Sequence, residues 1–361
     1  MNHPPAKLLR GLITIVGCWT VADGLRVLAA DPEPAGLLAR EWIFTEPPTP
    51  QCHAATVVES TAGTLLCAWF GGTREGAVDV GIWLSRKQSD GWIKPIEVAT
   101  GEQPDGKRFP CWNPVLFQVP RGPLLLFYKV GPSPRSWWGL VRESRDDGKT
   151  WSAAQRLPKG IVGPIKNKPV ALPGGMLLSP SSSEDQGWRV HFERSEDGGK
   201  TWTATEPIND GKTIGAIQPS LLRRRDGSLL AIGRSRQGKL WQATSTDAGK
   251  TWSPMTLTVL PNPNSGTDAV TLADGRQLLV YNHTRRGRTP LNLALSLDDW
   301  QTWQAAGALE TEAGEYSYPA VIQRRDGKIQ VVYTWKRQKI RSAVLDPDQL
   351  QSSPLPAASQ P

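Results

Sequence analysis

An octapeptide recurs along this chain at almost constant spacing, and few folds can accommodate that. Ser144-Arg145-Asp146-Asp147-Gly148-Lys149-Thr150-Trp151 returns at Ser195–Trp202 as SEDGGKTW, at Ser245–Trp252 as STDAGKTW and at Ser296–Trp303 as SLDDWQTW. The four starts lie 51, 50 and 51 residues apart. Ser85 and Ser342 stand where two degenerate copies would fall. A period of about fifty residues points to a propeller or a solenoid, because one such unit cannot bury its apolar face alone. Six units account for most of the 361 residues, so the length does not require several domains.

Within a unit the pattern is short strands between turns. Val170–Leu172, Leu177–Ser179, Val190–Glu193 and the stretch after Trp202 make four. Arg-Arg-Asp-Gly at 224–227 and again at 324–327 is a hairpin signal between apolar runs. Four strands per repeat match a propeller blade. In the octapeptide, Ser and Asp side chains can bond the turn's own backbone, Gly supplies a positive φ, and Trp packs between sheets. One recurrent Trp position also explains why Trp (16) outnumbers Phe (6) and Tyr (5). The sixth unit shows only Ala320–Gln323, Ile329–Trp335 and Ile340–Leu345; Glu41–Thr45 is expected to supply its outer strand and close the ring. The predicted fold is all-β, a six-bladed β-propeller with Asp-box turns over residues 31–346, followed by a flexible C-terminal tail, 347–361.

Residues 1–30 have the layout of an export signal: a basic start at Lys7 and Arg10, a short apolar run from Leu12 to Cys18, and small residues at Ala29-Ala30. The run is too short to span a bilayer. A second reading takes Ile15-Val16-Gly17-Cys18 as a lipobox with a lipid on Cys18. The expected location is therefore secreted or periplasmic, with a lipid anchor as the alternative. Lys7, Arg10, Arg26 and Asp23 lie in that segment, so its removal lowers the formal net charge from +8 to +6. A basic exported protein suits an acidic glycan or another anionic surface. Nucleic acid is disfavoured, since no basic run is interleaved with aromatics. Cys52, Cys67 and Cys111 are read as free, buried thiols, with a Cys52–Cys111 bridge as the alternative. No Cys/His spacing suggests a metal, and no cofactor is called for.

At the start of each innermost strand one residue precedes Pro or Ala: His53, Asn113, Lys168, Gln218, Asp268 and Tyr318. All are polar and all differ. A core position in a repeat should be apolar and alike between copies, so this ring marks either a shared pocket at the channel mouth or a wet channel lining.

The Asp boxes, the six units and the motifs below resemble the sialidase family over roughly residues 40–345. The resemblance implies three arginines that grip a sugar carboxylate, a tyrosine nucleophile activated by a glutamate, and an aspartate acid/base. Tyr316, in Glu315-Tyr316-Ser317, resembles the nucleophile motif; Arg288, eight residues before Ser296, the third arginine; Arg234 the second. Cys52-His53-Ala54 stands where an Arg-Ile-Pro motif opens blade one, Gln218 where the glutamate belongs, and Gly72-Thr73-Arg74-Glu75-Gly76 where the aspartate loop runs. Glu75 is the substitute acid, with Asp79 as runner-up. Arg74, Lys168 and Asn113 join Arg234 and Arg288 as substrate-binding candidates, with Gln218 and Tyr318. His53 titrates near neutrality and can act as base or acid.

Three functions fit these residues. An exo-glycosidase would cleave a terminal carboxylated sugar with Tyr316 or water as nucleophile and Glu75 or Asp268 as acid/base. A lyase would eliminate across a uronic acid, with arginines acidifying the C–H and His53 or Tyr316 taking the proton. A non-catalytic glycan-binding propeller is the third, because a fold does not by itself confer activity.

Overall fold

The computed structural model describes residues 32–356, together with Met1 and Asn2. Apart from Met1 and Asn2, the predicted export segment, Cys18 included, lies outside the described residues.

The second strand of blade 1 shows why these sheets must stack. Leu66, Ala68 and Phe70 point to one side of it and Cys67 and Trp69 to the other, the two-residue period of a strand. Both faces are apolar, so both must be covered by another layer. A ring of sheets, each lying against two neighbours, meets that need.

Six antiparallel sheets follow one another along the chain. Blade 1 starts with Gln51–Glu59 and Leu65–Gly72, blade 2 with Cys111–Gln118 and Leu124–Val130, and blade 3 with Val170–Ala171 and Leu177–Ser183. Blade 4 starts with Ala216–Arg223 and Leu229–Ser235, blade 5 with Asp268–Thr271 and Gln277–Tyr281, and blade 6 with Tyr316–Gln323 and Ile329–Trp335. Among the described residues the core is divided into six apolar clusters, one at each seam between neighbouring blades. The predicted six-bladed propeller is the observed fold.

The ring closes with strand Leu37–Trp42 on the outer edge of blade 6, antiparallel to Lys339–Leu345. The expected Glu41–Thr45 is thus displaced toward the C-terminus; only Glu41 and Trp42 belong to the strand. Leu37 lies opposite Leu345 and Trp42 opposite Arg341, so the partner covers almost all of the edge it protects. Past Ile43, which adds one bond to the Ile340 carbonyl (3.1 Å), the chain leaves the sheet toward Pro47-Pro48, which have no N–H for a ladder.

The four Asp boxes share one hydrogen-bond pattern. Ser144 Oγ donates to Asp146 (2.8 Å) and accepts the Gly148 N–H (2.8 Å), while Asp146 accepts the N–H and hydroxyl of Thr150 at 2.9 and 2.6 Å. Asp197, Asp247 and Asp298 repeat it with Thr201, Thr251 and Thr302. Each box Trp packs on the seam with the preceding blade; Trp252 stacks on Phe192 with ring centroids 4.0 Å apart. Register corrects the sixth copy. The box serines pair with the first residue of the second strand, as Ser144 with Leu124 and Ser245 with Leu229. In blade 6 that position is Leu345, opposite Ile329, whereas Ser342 lies mid-strand opposite Val332.

The first part of the predicted flexible tail is in fact packed. Ser353 and Ala305 exchange two backbone bonds (2.8 and 2.9 Å), and Leu350 is buried in the seam of blades 5 and 6. Cys52, Cys67 and Cys111 are free and buried, so no Cys52–Cys111 bridge exists.

Candidate functional site

In four blades the innermost strand carries a bulge. Pairing runs His53 to Phe70 and resumes at Thr56 to Ala68; the same break occurs at 112/115, 217/220 and 317/320. At each break one residue is left-handed: Ala54 (φ 56°), Asn113 (36°), Gln218 (57°) and Tyr318 (51°). Non-glycine residues rarely hold such angles, and bulges of this kind re-aim a side chain. Asn113, Gln218 and Tyr318 are therefore equivalent, as the sequence alignment had it. His53 is one residue before the equivalent Ala54. Asp268 pairs with Val280, the fourth residue of its neighbouring strand, as Ser220 pairs with Ile232, and so lies two residues deeper.

That depth decides what Asp268 does. It is almost fully buried, and its two oxygens accept Lys168 Nζ, Ser220 Oγ and the N–H groups of Ala269 and Val321, all at 2.9 Å. Lys168 also donates to the Ala269 carbonyl at 3.0 Å. The pair ties blades 3, 4, 5 and 6 together at the axis. Asp268 as acid/base and Lys168 as substrate ligand are both corrected: their polar atoms are spent inside the protein.

Tyr316 and Tyr318 part company at the bulge. Tyr316 is fully buried in the seam of blades 5 and 6, its ring tilted against Trp335. The structure does not bring it to the cluster, so the nucleophile assignment to Tyr316 is corrected. Tyr318 sits among cations. Its Oη accepts a bond from Arg234 Nη1 at 2.9 Å, and the guanidinium carbons of Arg234 and Arg288 lie 5.4 and 5.7 Å from its ring centroid. Lys166 Nζ lies 5.8 Å from that ring, and the His53 ring 4.2 Å.

Two of the cations, Arg337 and Lys166, were not foreseen. Arg337 reaches the start of blade 1 from the last hairpin of blade 6; its carbonyl accepts the Cys52 N–H at 2.8 Å. Its Nε and Arg288 Nη1 share one oxygen of Glu315, at 2.9 and 2.7 Å, and its Nη1 pairs with Glu75. An arginine thus stands beside His53, where the sequence lacked the first arginine of the resemblance. Lys166 is buried, donating to Asn167 Oδ1, the Thr267 carbonyl and the Pro319 carbonyl. Burial first, then Lys168 and Arg234, lower its pKa, Asp268 opposing, to about 7. Lys336 and Arg337 both have positive φ (50° and 56°) in a turn closed by the Gln338 N–H to the Trp335 carbonyl, a position that favours Asn-Gly, so the local sequence did not mark Arg337. Nor did it mark Lys166, one of many lysines.

His53 Nδ1 is 3.0 Å from Thr334 Oγ1. Burial and then Arg337, Arg288, Arg234 and Lys166 push its pKa well below the ordinary histidine value. The imidazole is therefore held in its neutral form. Gln218 is buried, and its Oε1 has no partner among the described residues. Asn113 is likewise buried. Arg74 and Glu75 lie on the exposed loop after the second strand, at the rim of the seam that holds His53 and Arg337. Asp79 is occupied by its own turn: it accepts the Thr73 N–H (2.8 Å) and hydroxyl (2.7 Å), which lower its pKa.

The BNR repeat-like domain model matches residues 63–331. An anhydrosialidase of Macrobdella decora is 25% identical over 233 residues, 55% of this chain and 30% of that protein. A sialidase of Bacteroides fragilis is 25% identical over 228 residues, 53% of this chain and 41% of that protein. The chain spans less than half the length of these relatives. Among solved structures, a protein of unknown function from Dyadobacter fermentans has a TM-score of 0.72 at 18% identity, covering 86% of this chain and 98% of its own. The intramolecular trans-sialidase from Ruminococcus gnavus has a TM-score of 0.70 at 15% identity, covering 88% and 99%. The Asp boxes, the six blades and the matching family model together make this chain a member of the BNR repeat-like family, within the sialidase superfamily.

Proposed function

We propose that this protein is a glycosidase that removes a terminal carboxylated sugar, sialic-acid-like or uronic, from an acidic glycan. The observation that carries the reading is the convergence of Arg234, Arg288 and Arg337 around Tyr318 and His53. Among the described residues, Glu315 and Glu75 form the ion pairs with Arg288 and Arg337. A guanidinium fork matches a carboxylate, and a sugar acid would replace part of the repulsion between the three arginines with attraction.

In this reading the arginines seat the carboxylate and thereby place the anomeric carbon. Tyr318 Oη is the nucleophile, held in place by the Arg234 bond to that oxygen. His53 is the neutral base beside it. Carboxylate binding would weaken the repulsion on an imidazolium, so His53 becomes more basic once substrate is bound. Export to the cell exterior or periplasm, with a lipid on Cys18 as the alternative, is proposed with it; intact-mass analysis of the native protein checks both.

One observation favours elimination instead. Gln218 stands where the resemblance calls for a glutamate, and no carboxylate bonds to Tyr318 among the described residues. A lyase needs none, because His53 or Tyr318 can take a proton acidified by the arginines. A screen of purified protein on sialosides and uronides separates the readings. Hydrolysis releases reducing sugar without new ultraviolet absorbance; elimination gives both signals. Neither signal, with glycan still bound, would mean a lectin.

A further inference from the structure

The sequence offered Glu75 or Asp268 as proton donor to the leaving group; the structure removes Asp268 from consideration and ties Glu75 to Arg337. An opening lies near the arginine cluster. It is a cavity of about 340 Å³ between blades 2 and 3, lined among others by Arg135, Trp137, Ser183, Glu184 and His191. Its wall is continuous with the cluster: Ser182 Oγ, also on that wall, accepts the Gln218 N–H at 3.2 Å. Glu184 stands at the junction. The Trp188 indole N–H donates to Glu184 Oε2 at 2.9 Å, and the face of the same indole carries the Arg234 guanidinium at 5.0 Å. One side of Glu184 thus belongs to the cavity and the other to the arginine that holds Tyr318.

We propose that Glu184 is the general acid of the reaction and that the blade 2–3 cavity holds the departing sugar. This rests on the glycosidase reading. Trp137 gives an aromatic face for a sugar ring, and Ser183 and His191 give bonds to its hydroxyls. The Glu184 proton passes to the glycosidic oxygen as the bond from that oxygen to the anomeric carbon breaks. Tyr318 Oη takes the carbon and gives its proton to His53, and the departing sugar leaves as an alcohol. Water then attacks the anomeric carbon and gives one proton back to Glu184, while the freed Tyr318 oxygen takes its proton back from His53. Burial raises the Glu184 carboxyl above its usual range, while Arg234, the Trp188 bond, Arg236 and Arg135 pull it back. A raised carboxyl keeps its proton closer to neutral pH, as an acid catalyst requires.

The test compares two substrates of one carboxylated sugar, an aryl glycoside with an acidic phenol and a disaccharide. Glu184→Gln should lower kcat/KM on the disaccharide by about 10²–10⁴-fold and on the aryl glycoside by less than about tenfold, since an acidic phenol departs without a proton. The alkaline limb of the disaccharide pH profile should vanish with it. Trp137→Ala should raise KM for the disaccharide alone. Equal loss on both substrates, or no loss on either, overturns the proposal, as does a leaving-group dependence shown by Glu75→Gln instead. Wild-type protein inactive on every carboxylated glycoside overturns the glycosidase reading itself; wild-type activity with an unaffected E184Q overturns only the role of Glu184. If E184Q lacks a cooperative thermal transition, Glu184→Asp replaces it in the same comparison.

Discussion

Tyr316 and Tyr318 lie on one strand, and the bulge between Ser317 and Ala320 sends one into the core and the other into the arginine cluster. Tyr318→Phe should therefore lower kcat by at least about a hundredfold with little change in melting temperature, the removal of a nucleophile being far costlier than one lost hydrogen bond. Tyr316→Phe should leave kcat within about twofold. Steady-state kinetics on one carboxylated substrate compare the two. Ala substitution of Arg234, Arg288 or Arg337 should cost about tenfold to a few hundredfold in kcat/KM, from ~1.5–3 kcal/mol per charged hydrogen bond. Lys should restore only part of this, because the fork is lost. Full activity on a neutral analogue would refute the carboxylate assignment; a desulfated glycan assayed in parallel tells carboxylate from sulfate. His53 gives a pH prediction with a definite sign. A base must be neutral, and its pKa in the free protein is lowered, so the acid limb of kcat/KM should lie well below the ordinary histidine value. In kcat the limb should move upward, because the bound carboxylate offsets the arginines. A limb at the same pH in both profiles would count against the coupling.

At the scale of elements, the Asp boxes and the axial ion pair stabilise the fold without serving chemistry. Bonds from Thr150 and then Ser144 hold Asp146 near pKa 2, and the same bonds from Thr251 and Ser245 hold Asp247 there. Both values are depressed below the unfolded range. Their stabilisation is present above about pH 4 and is lost as the pH falls toward 2. Asp247→Ala should lower the melting temperature by about 1–3 °C at pH 7 with no change in kcat/KM, and the difference from wild type should shrink at pH 3. Asp268→Asn strips a charge from a buried pair and should cost about 3–5 kcal/mol, read by denaturant unfolding. A D268N protein of normal stability but no activity would restore Asp268 to the chemistry. These strands were legible from alternation and hairpin signals. The bulges were marked only indirectly: Ala, Asn, Gln and Tyr occupy 54, 113, 218 and 318, and the trace is the Pro that follows three of them, Pro114, Pro219 and Pro319.

For the molecule as a whole, closure rests on Leu37–Trp42. Deleting residues 32–42 would leave the edge of Lys339–Leu345 unpaired, and open edges recruit other chains. The truncated protein should show oligomers on size exclusion and lose its cooperative thermal transition; a stable monomer would mean that closure is dispensable. By itself the sequence determined the blade count, the box turns and the need for a strand from the N-terminal side. These follow from a fifty-residue period and a two-residue alternation, both carried by neighbours in the chain. It also supplied Arg234, Arg288, His53, Gln218 and Tyr318 as site candidates. Only the tertiary structure decided which polar residues meet. Arg337 comes from blade 6 to stand beside His53 of blade 1, Lys166 reaches Pro319, and Lys168 neutralises Asp268. Such meetings join residues a hundred or more positions apart across the axis. Ring closure sets their distances, and a one-residue bulge sets their direction, so no local pattern in the chain can encode them.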